Sequence, residues 1–102
     1  MNDQELHAIY LVINSIPYGK VATYGQVATI ASLSGKARMV GKILSRLPPG
    51  STIPWHRVVN AAGTISLPAG SESYRLQKER LLLEGVIFKD IKVNLKQFQW
   101  QP

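Results

Sequence analysis

The seven residues Ile53-Pro54-Trp55-His56-Arg57-Val58-Val59 bring an indole, an imidazole and a guanidinium together behind a proline. Imidazole titrates nearest neutrality, so His56 is able to move a proton or to hold a hydrogen bond in either direction. Arg57 is a permanent cation with a planar fork of donors. Trp55 supplies a large apolar face and a single N–H donor. Pro54 fixes its own φ and drives Ile53 extended, while Val58 and Val59 favour a strand. The three side chains therefore sit where a turn runs into a strand, a common way to build one wall of a pocket. The same residues equally describe a core tryptophan beside a hydrogen-bonded histidine.

The rest of the chain limits what these groups can do. It contains no cysteine, which excludes a disulfide framework, a thiolate metal site and a thiol nucleophile. His7 and His56 are the two histidines and form no ligand-spaced cluster, so no metal and no cofactor is expected. The 102 residues carry a formal net charge of +6. That excess is local. From Leu6 to Ser71 there are six basic residues (Lys20, Lys36, Arg38, Lys42, Arg46, Arg57) and no acid. The two end pieces hold equal numbers of acids and bases. A long acid-free basic stretch attracts polyanions, and nucleic acid is the commonest soluble one. An anionic membrane surface is the weaker alternative. No run has the length of a membrane span, and the N-terminus lacks a signal-peptide pattern, so a cytoplasmic location is expected.

The elements that must position the Trp-His-Arg stretch follow from periodicity and punctuation. Leu6, Ile9, Tyr10 and Ile13 form a helical stripe behind a cap at Asn2 or Asp3, ended by Pro17 and Gly19. Thr23 and Gln26 have the spacing of a capping box, predicting a short helix from Tyr24 to about Ala31. After the break at Ser32–Gly35 a third helix is predicted over Lys36–Leu47. Ala37, Val40, Gly41, Leu44 and Leu47 lie on one side, and Arg38, Lys42, Ser45 and Arg46 on the other. A short helix, a tight turn and a basic second helix form a helix-turn-helix pattern. Asn60–Gly63 then reads as a hairpin turn with Thr64–Leu67 as its returning strand. Ser73 is expected to cap a helix running to Glu84, with Leu76, Leu83 and parts of Leu81-Leu82 inward and Gly85 as its stop. Ile91, Val93 and Leu95 alternate with polar residues as in an edge strand. The expected architecture is α+β: one small winged-helix-like domain over residues 1–102 with a helix-turn-helix, a short β-hairpin and a C-terminal helix.

Three segments taken together carry a resemblance. Ile16–Ala28, with its Pro-Tyr-Gly-Lys-Val and Thr-Tyr-Gly-Gln-Val runs, comes first. Ala37-Arg38-Met39-Val40-Gly41 and then Ile53-Pro54-Trp55-His56-Arg57-Val58 follow in the same order. They closely resemble the DNA-binding domain of the O6-alkylguanine-DNA alkyltransferases, over nearly the whole chain. In that family a cysteine accepts the alkyl group, and here Trp55 stands in its place. The chain is therefore similar to the alkyltransferase-like proteins, which bind alkylated guanine without repairing it and pass the site to nucleotide excision repair.

The resemblance implies a role for each matched position. Tyr24 would crowd the target phosphate as the nucleotide rotates out. Arg38 would enter the stack as the arginine finger. Ala37 and Gly41 would let the recognition helix approach the minor groove. Trp55 would wall the lesion pocket, Val58 would face the flipped guanine with its backbone, and the Leu67–Ser71 loop would form the opposite wall. His56 and Glu84 would be the remnant of the relay that activates the missing thiol, reduced to a structural pair. Leu47 departs from the family, which usually has Asn there. The implied partners are duplex DNA containing O6-alkylguanine and nucleotide excision repair proteins, with no membrane contact and a monomeric state.

The resulting expectation is a non-enzymatic sensor that flips O6-alkylguanine into a pocket. An indole has no nucleophilicity comparable to a thiolate near neutral pH, which agrees with the departure at Trp55. Two other readings stand beside it. A helix-turn-helix regulator without lesion preference explains the charge but leaves the Pro-Trp-His-Arg motif without a task. A dealkylating enzyme using His56-activated water lacks the metal or oxidative cofactor that attack on an unactivated ether carbon normally needs.

Overall fold

The computed structural model describes residues 2–102. Helix α1 (Asp3–Ser15) starts at a reciprocal cap: the Asn2 side chain accepts the Glu5 N–H at 2.8 Å, and the Glu5 carboxylate accepts the Asn2 N–H at 3.1 Å. It buries Ile9, Val12 and Ile13 and gives way to extended backbone at Ile16, the residue before Pro17. Helix α2 (Tyr24–Ile30) uses the same device, with Thr23 Oγ1 accepting from Gln26 N at 3.1 Å and Gln26 Oε1 from Thr23 N at 3.3 Å. Gln26 also donates Nε2 to the Trp100 carbonyl at 2.8 Å, so this local cap ties down the C-terminal end as well. A tight turn follows, with Ser32 (φ 63) and Gly35 (φ 83) both left-handed. It leads into α3 (Ala37–Ser45), which packs across α2 as a helix-turn-helix. This third helix is shorter than the predicted Lys36–Leu47, and Ile43 joins Val40 as its buried anchor.

The strand pairing differs from expectation. β1 (Ala22–Thr23) pairs in parallel with β2 (Val58–Val59), in the register Ala22 to Val58 and Thr23 to Val59. The turn at Asn60–Gly63 forms, but Thr64–Leu67 is not a strand. Asn60 Oδ1 instead accepts the N–H groups of Ala62 and Thr64, each at 3.0 Å. The Gly63 carbonyl goes to Val93 N at 2.9 Å. With those groups satisfied, no ladder is needed. Gly63 has φ 82, and a Cβ there would lie 2.7 Å from the Val93 carbonyl oxygen. The antiparallel hairpin lies later, where β3 (Phe88–Lys89) meets β4 (Lys92–Val93) through Asp90 at φ 57. The alternation seen from Ile91 to Leu95 therefore marks a two-residue strand followed by α5 (Leu95–Phe98), capped by Asn94.

Helix α4 (Glu72–Leu83) is capped by Ser71, two residues earlier than expected. Its inward residues are Gln77 and Leu81, whereas Leu83 is 80% exposed. Positions 77 and 81 share a helix face, and a residue two beyond Leu81 falls on the opposite side.

Two apolar clusters make the core. Ile9, Ile13, Ala22, Val27, Val40, Ile43 and Val58 belong to the first; Val21, Val59, Leu81, Val86, Val93 and Phe98 belong to the second. Consecutive strand residues point to opposite faces, so the short parallel pair sends Ala22 and Val58 into one cluster and Val21 and Val59 into the other. This ribbon joins the first three helices to the C-terminal half. The protein is a small α+β domain of five helices and two small sheets among the described residues.

Candidate nucleic-acid interface

Ahead of β2 the chain makes one turn of 3₁₀ helix, Trp55–Arg57, started by Pro54. The turn sends its three side chains in different directions. His56 points inward, where Nε2 meets Glu84 Oε2 at 2.6 Å. Arg57 grips the same carboxylate through Nε to Oε1 and Nη2 to Oε2, each at 2.9 Å, and donates Nη1 to the Ile16 carbonyl at 2.9 Å. Gly19 N adds a further donor to Glu84 Oε1 at 2.9 Å. One acid at the end of α4 thereby clamps the 3₁₀ turn to the Pro-Tyr-Gly turn after α1.

The protonation states follow from this geometry. Burial alone would raise the Glu84 pKa, but the Arg57 guanidinium, the Gly19 N–H and His56 together bring it down to about 2. Glu84 is thus ionised, and the proton of the 2.6 Å contact belongs on His56 Nε2. Burial lowers the His56 pKa by more than the bond to Glu84 raises it, so the ring is neutral at pH 7. Its Nδ1 is buried and has no hydrogen-bond partner among the described residues. The pair implied by the resemblance is in contact, and Arg57 is a third member. The backbone leaving the turn is held by Gln77, whose buried Nε2 donates to the carbonyls of His56 (3.2 Å) and Val58 (2.9 Å).

Trp55 points the other way and is half-buried. Beside it opens a cleft of about 480 Å³, within the roughly 300–1,000 Å³ range of small-ligand sites. Leu44, Leu47, Pro48 and Leu67 give it apolar walls, Ser45, Ser51 and Ser73 contribute hydroxyls, and Arg80 reaches in from α4. A smaller hollow of about 90 Å³ continues from it between Trp55, Tyr24, Gly41 and Gln77. Tyr24, Gly41 and Trp55 therefore line one space, although they come from α2, α3 and the 3₁₀ turn. From the Leu67–Ser71 loop only Leu67 lines it. Val58 is buried in β2 and lines neither hollow. Its N–H is bonded to the Trp55 carbonyl and its own carbonyl to Gln77.

The exposed side of α3 carries the charge. Arg38, Lys42 and Arg46 surround a depression of about 590 Å³ with Met39, and Lys36 precedes the helix. None of these four cations makes an ion pair among the described residues, whereas Arg57 is neutralised by Glu84 and Arg75 is bracketed by Glu72 and Glu79. Ala37 is half-buried at the first turn of α3. Gly41 has open space where a Cβ would stand. Arg38 projects to solvent and does not line the Trp55 cleft, so α3 presents a basic exposed face while Leu44 and Ser45 of the same helix line the cleft.

Residues 5–86 match the family described as 6-O-methylguanine DNA methyltransferase, DNA binding domain. A DNA base-flipping protein of Vibrio parahaemolyticus is 48% identical, the match covering 98% of this chain and 99% of that protein. Alkyltransferase-like protein 1 of Schizosaccharomyces pombe is 40% identical over 98% of this chain and 97% of its own length. The chain belongs to the alkyltransferase-like proteins. The crystal structure of S. pombe Atl1 in complex with damaged DNA containing O6-carboxymethylguanine superimposes with a TM-score of 0.87 at 37% identity, covering 100% of this chain and 99% of that one. Mycobacterium tuberculosis OGT in complex with DNA gives a TM-score of 0.70 at 28% identity, over 82% of this chain and 50% of that chain.

Within this alkyltransferase-like fold, three contributors have partners or positions that the sequence does not reveal. Arg57 was visible as a cation, but its bond to Glu84 spans 27 residues. Gln77 lies one helical turn before Leu81 on the same inward face, a spacing that marks it as buried. Arg80 precedes Glu84 by four positions, and only the fold brings it over Trp55.

Proposed function

We propose that the protein is a non-enzymatic DNA damage sensor. It binds duplex DNA, rotates O6-alkylguanine out of the stack into the cleft beside Trp55, and holds it there without removing the alkyl group. The observation that carries this reading is the placement of Trp55. It occupies the acceptor position as a half-exposed wall of an open cleft, and the chain contains no thiol. Alkyl transfer needs a soft nucleophile, which neither an indole nor a neutral imidazole bonded to Glu84 supplies.

Binding begins with charge. Lys36, Arg38, Lys42 and Arg46 on the α3 side face phosphates, while Ala37 and Gly41 allow the helix to come close to the minor groove. Rotating a nucleotide out costs a few kcal/mol, and a weakly paired O6-alkylguanine costs least. Tyr24, at the rim of the smaller hollow, crowds the backbone on one side, and Arg38 fills the stack with a planar cation able to bond the orphaned partner base. The Glu84 clamp keeps the 3₁₀ turn rigid, so Trp55 presents a preorganised face to the alkyl group. The complex then serves as a signal to nucleotide excision repair proteins. The acting species is a monomer, and its location is the cytoplasm.

The deciding experiment titrates the protein with otherwise identical duplexes carrying guanine or O6-methylguanine, at matched salt. The modified duplex should bind at least about tenfold more tightly. Mass analysis afterwards should find the lesion intact and no alkyl group on the protein. Equal affinities would refute lesion recognition and favour a regulator with no lesion preference. Restored guanine would refute the non-enzymatic assignment.

A further inference from the structure

Arg80 is a cation without a counter-ion among the described residues, unlike the two other arginines that lie outside the α3 face. Arg57 is held by Glu84, and Arg75 by Glu72 and Glu79. Arg80 stands four residues before Glu84, the spacing of a helical ion pair, yet Glu84 is turned inward to His56, Arg57 and Gly19. Among the described residues Arg80 makes no ion pair and no side-chain hydrogen bond. Its guanidinium carbon lies instead 5.6 Å from the centroid of the Trp55 ring. It is also the one charged side chain lining the 480 Å³ cleft, whose other walls are apolar or hydroxyl-bearing.

We propose that Arg80 is the specificity-determining residue of the cleft, and that it makes the protein favour O6 adducts ending in an anionic group, of the carboxyalkyl class, over neutral adducts of the same size. The proposal rests on the lesion-binding reading above. A guanidinium laid on an indole keeps its donors free at its edge, and cation–π attraction limits the orientations it samples. That edge is a planar fork matched to a carboxylate, which it can bind through two parallel hydrogen bonds. The apolar walls formed by Leu44 and Leu67 accommodate the stem of the adduct, and no carboxylate lines the cleft to compete. DNA itself repels an anionic adduct. A lone cation facing the indole offsets that repulsion where the adduct ends.

The test uses four duplexes of one sequence, containing guanine, O6-methylguanine, O6-carboxymethylguanine, or the carbamoylmethyl adduct, which is the neutral amide of nearly equal size. Fluorescence polarisation of labelled duplex gives the affinities for wild type and for Arg80→Gln. Wild type should bind the carboxymethyl adduct about tenfold more tightly than the amide, the effect of a charge-assisted hydrogen bond. In Arg80→Gln that gap should fall within twofold or so, while the preference for O6-methylguanine over guanine persists. Equal wild-type affinity for the carboxymethyl adduct and its amide overturns the proposal. So does an Arg80→Gln loss of equal size on all four duplexes, which would make Arg80 a phosphate contact. Failure of the underlying lesion reading would show separately, as no difference between methylated and plain duplex in wild type. Arg80 is exposed and bonds no backbone, so a circular dichroism melt should find the variant folded, with at most the small loss of one exposed cation–π contact.

Discussion

Arg57 holds Glu84 through both of its carboxylate oxygens, Nε to Oε1 and Nη2 to Oε2 at 2.9 Å each, across 27 residues of chain. The Glu84 side chain is 7% exposed and that of Arg57 16%, so the pair is largely removed from water. It joins the 3₁₀ turn that carries Trp55 to the end of α4, and its energetics therefore bear on the cleft.

Breaking this pair from one side should be severe. Arg57→Met leaves the Glu84 carboxylate buried with only His56 and Gly19 to satisfy it, at a cost of about 3–5 kcal/mol. Chemical denaturation is the measurement. The double variant Arg57→Met/Glu84→Leu should be less destabilised than Arg57→Met alone, because no unpaired charge remains.

Acid should unfold the protein through the same carboxylate. The Glu84 pKa in the fold is about 2, below its ordinary 4.5, so its contribution is complete above pH 4.5 and disappears as the pH falls towards 2. The shift corresponds to roughly 3 kcal/mol. His56 acts in the same direction: its pKa is lowered from 6.5, so its contribution is present above 6.5 and declines as the pH falls below that value. A melting series from pH 7 to pH 2 should fall in two stages, and Glu84→Gln should flatten the lower one while reducing stability at pH 7.

The α3 cations should separate lesion recognition from general affinity. Arg38→Ala should weaken binding to an O6-methylguanine duplex by about tenfold or more. Lys78→Ala should leave it within about twofold, since the Lys78 ammonium lies over the Phe88 ring, away from α3. Lys42→Ala should weaken modified and plain duplex alike and reduce the slope of log affinity against log salt by about 1. Equal losses for Arg38→Ala and Lys78→Ala would remove the finger role.

Gly41 offers a case in which stability and binding should part. A Cβ at this position meets nothing within 4 Å, and alanine is the better helix former by up to about 1 kcal/mol. Gly41→Ala should therefore raise the melting temperature. The added methyl would intrude on the hollow shared by Tyr24 and Trp55, so affinity for modified duplex should fall. A variant that is both more stable and equally tight would show that the smaller hollow is not occupied in the complex.

Local chemistry was legible in the linear chain. The Thr23–Gln26 capping box, the stop at Pro17, the turn before α3 and the basic, acid-free character of α3 each depend on residues a few positions apart. The motifs around Tyr24, Arg38 and Trp55 sufficed to indicate the family and the missing thiol. What the tertiary structure alone decided involved long separations. β2 pairs with β1 across 36 positions rather than with Thr64–Leu67, because Asn60 and Val93 satisfy the intervening backbone. Leu83 faces solvent because Gln77 and Leu81 set the inward face of α4. Trp55 could have been core or cleft wall. Its side was settled when Glu84 drew His56 and Arg57 inward from the same 3₁₀ turn, leaving the indole to face the opening below Arg80. Hydrogen bonds within a turn are encoded by neighbours, whereas the direction of a side chain at a junction depends on charges that only folding brings together.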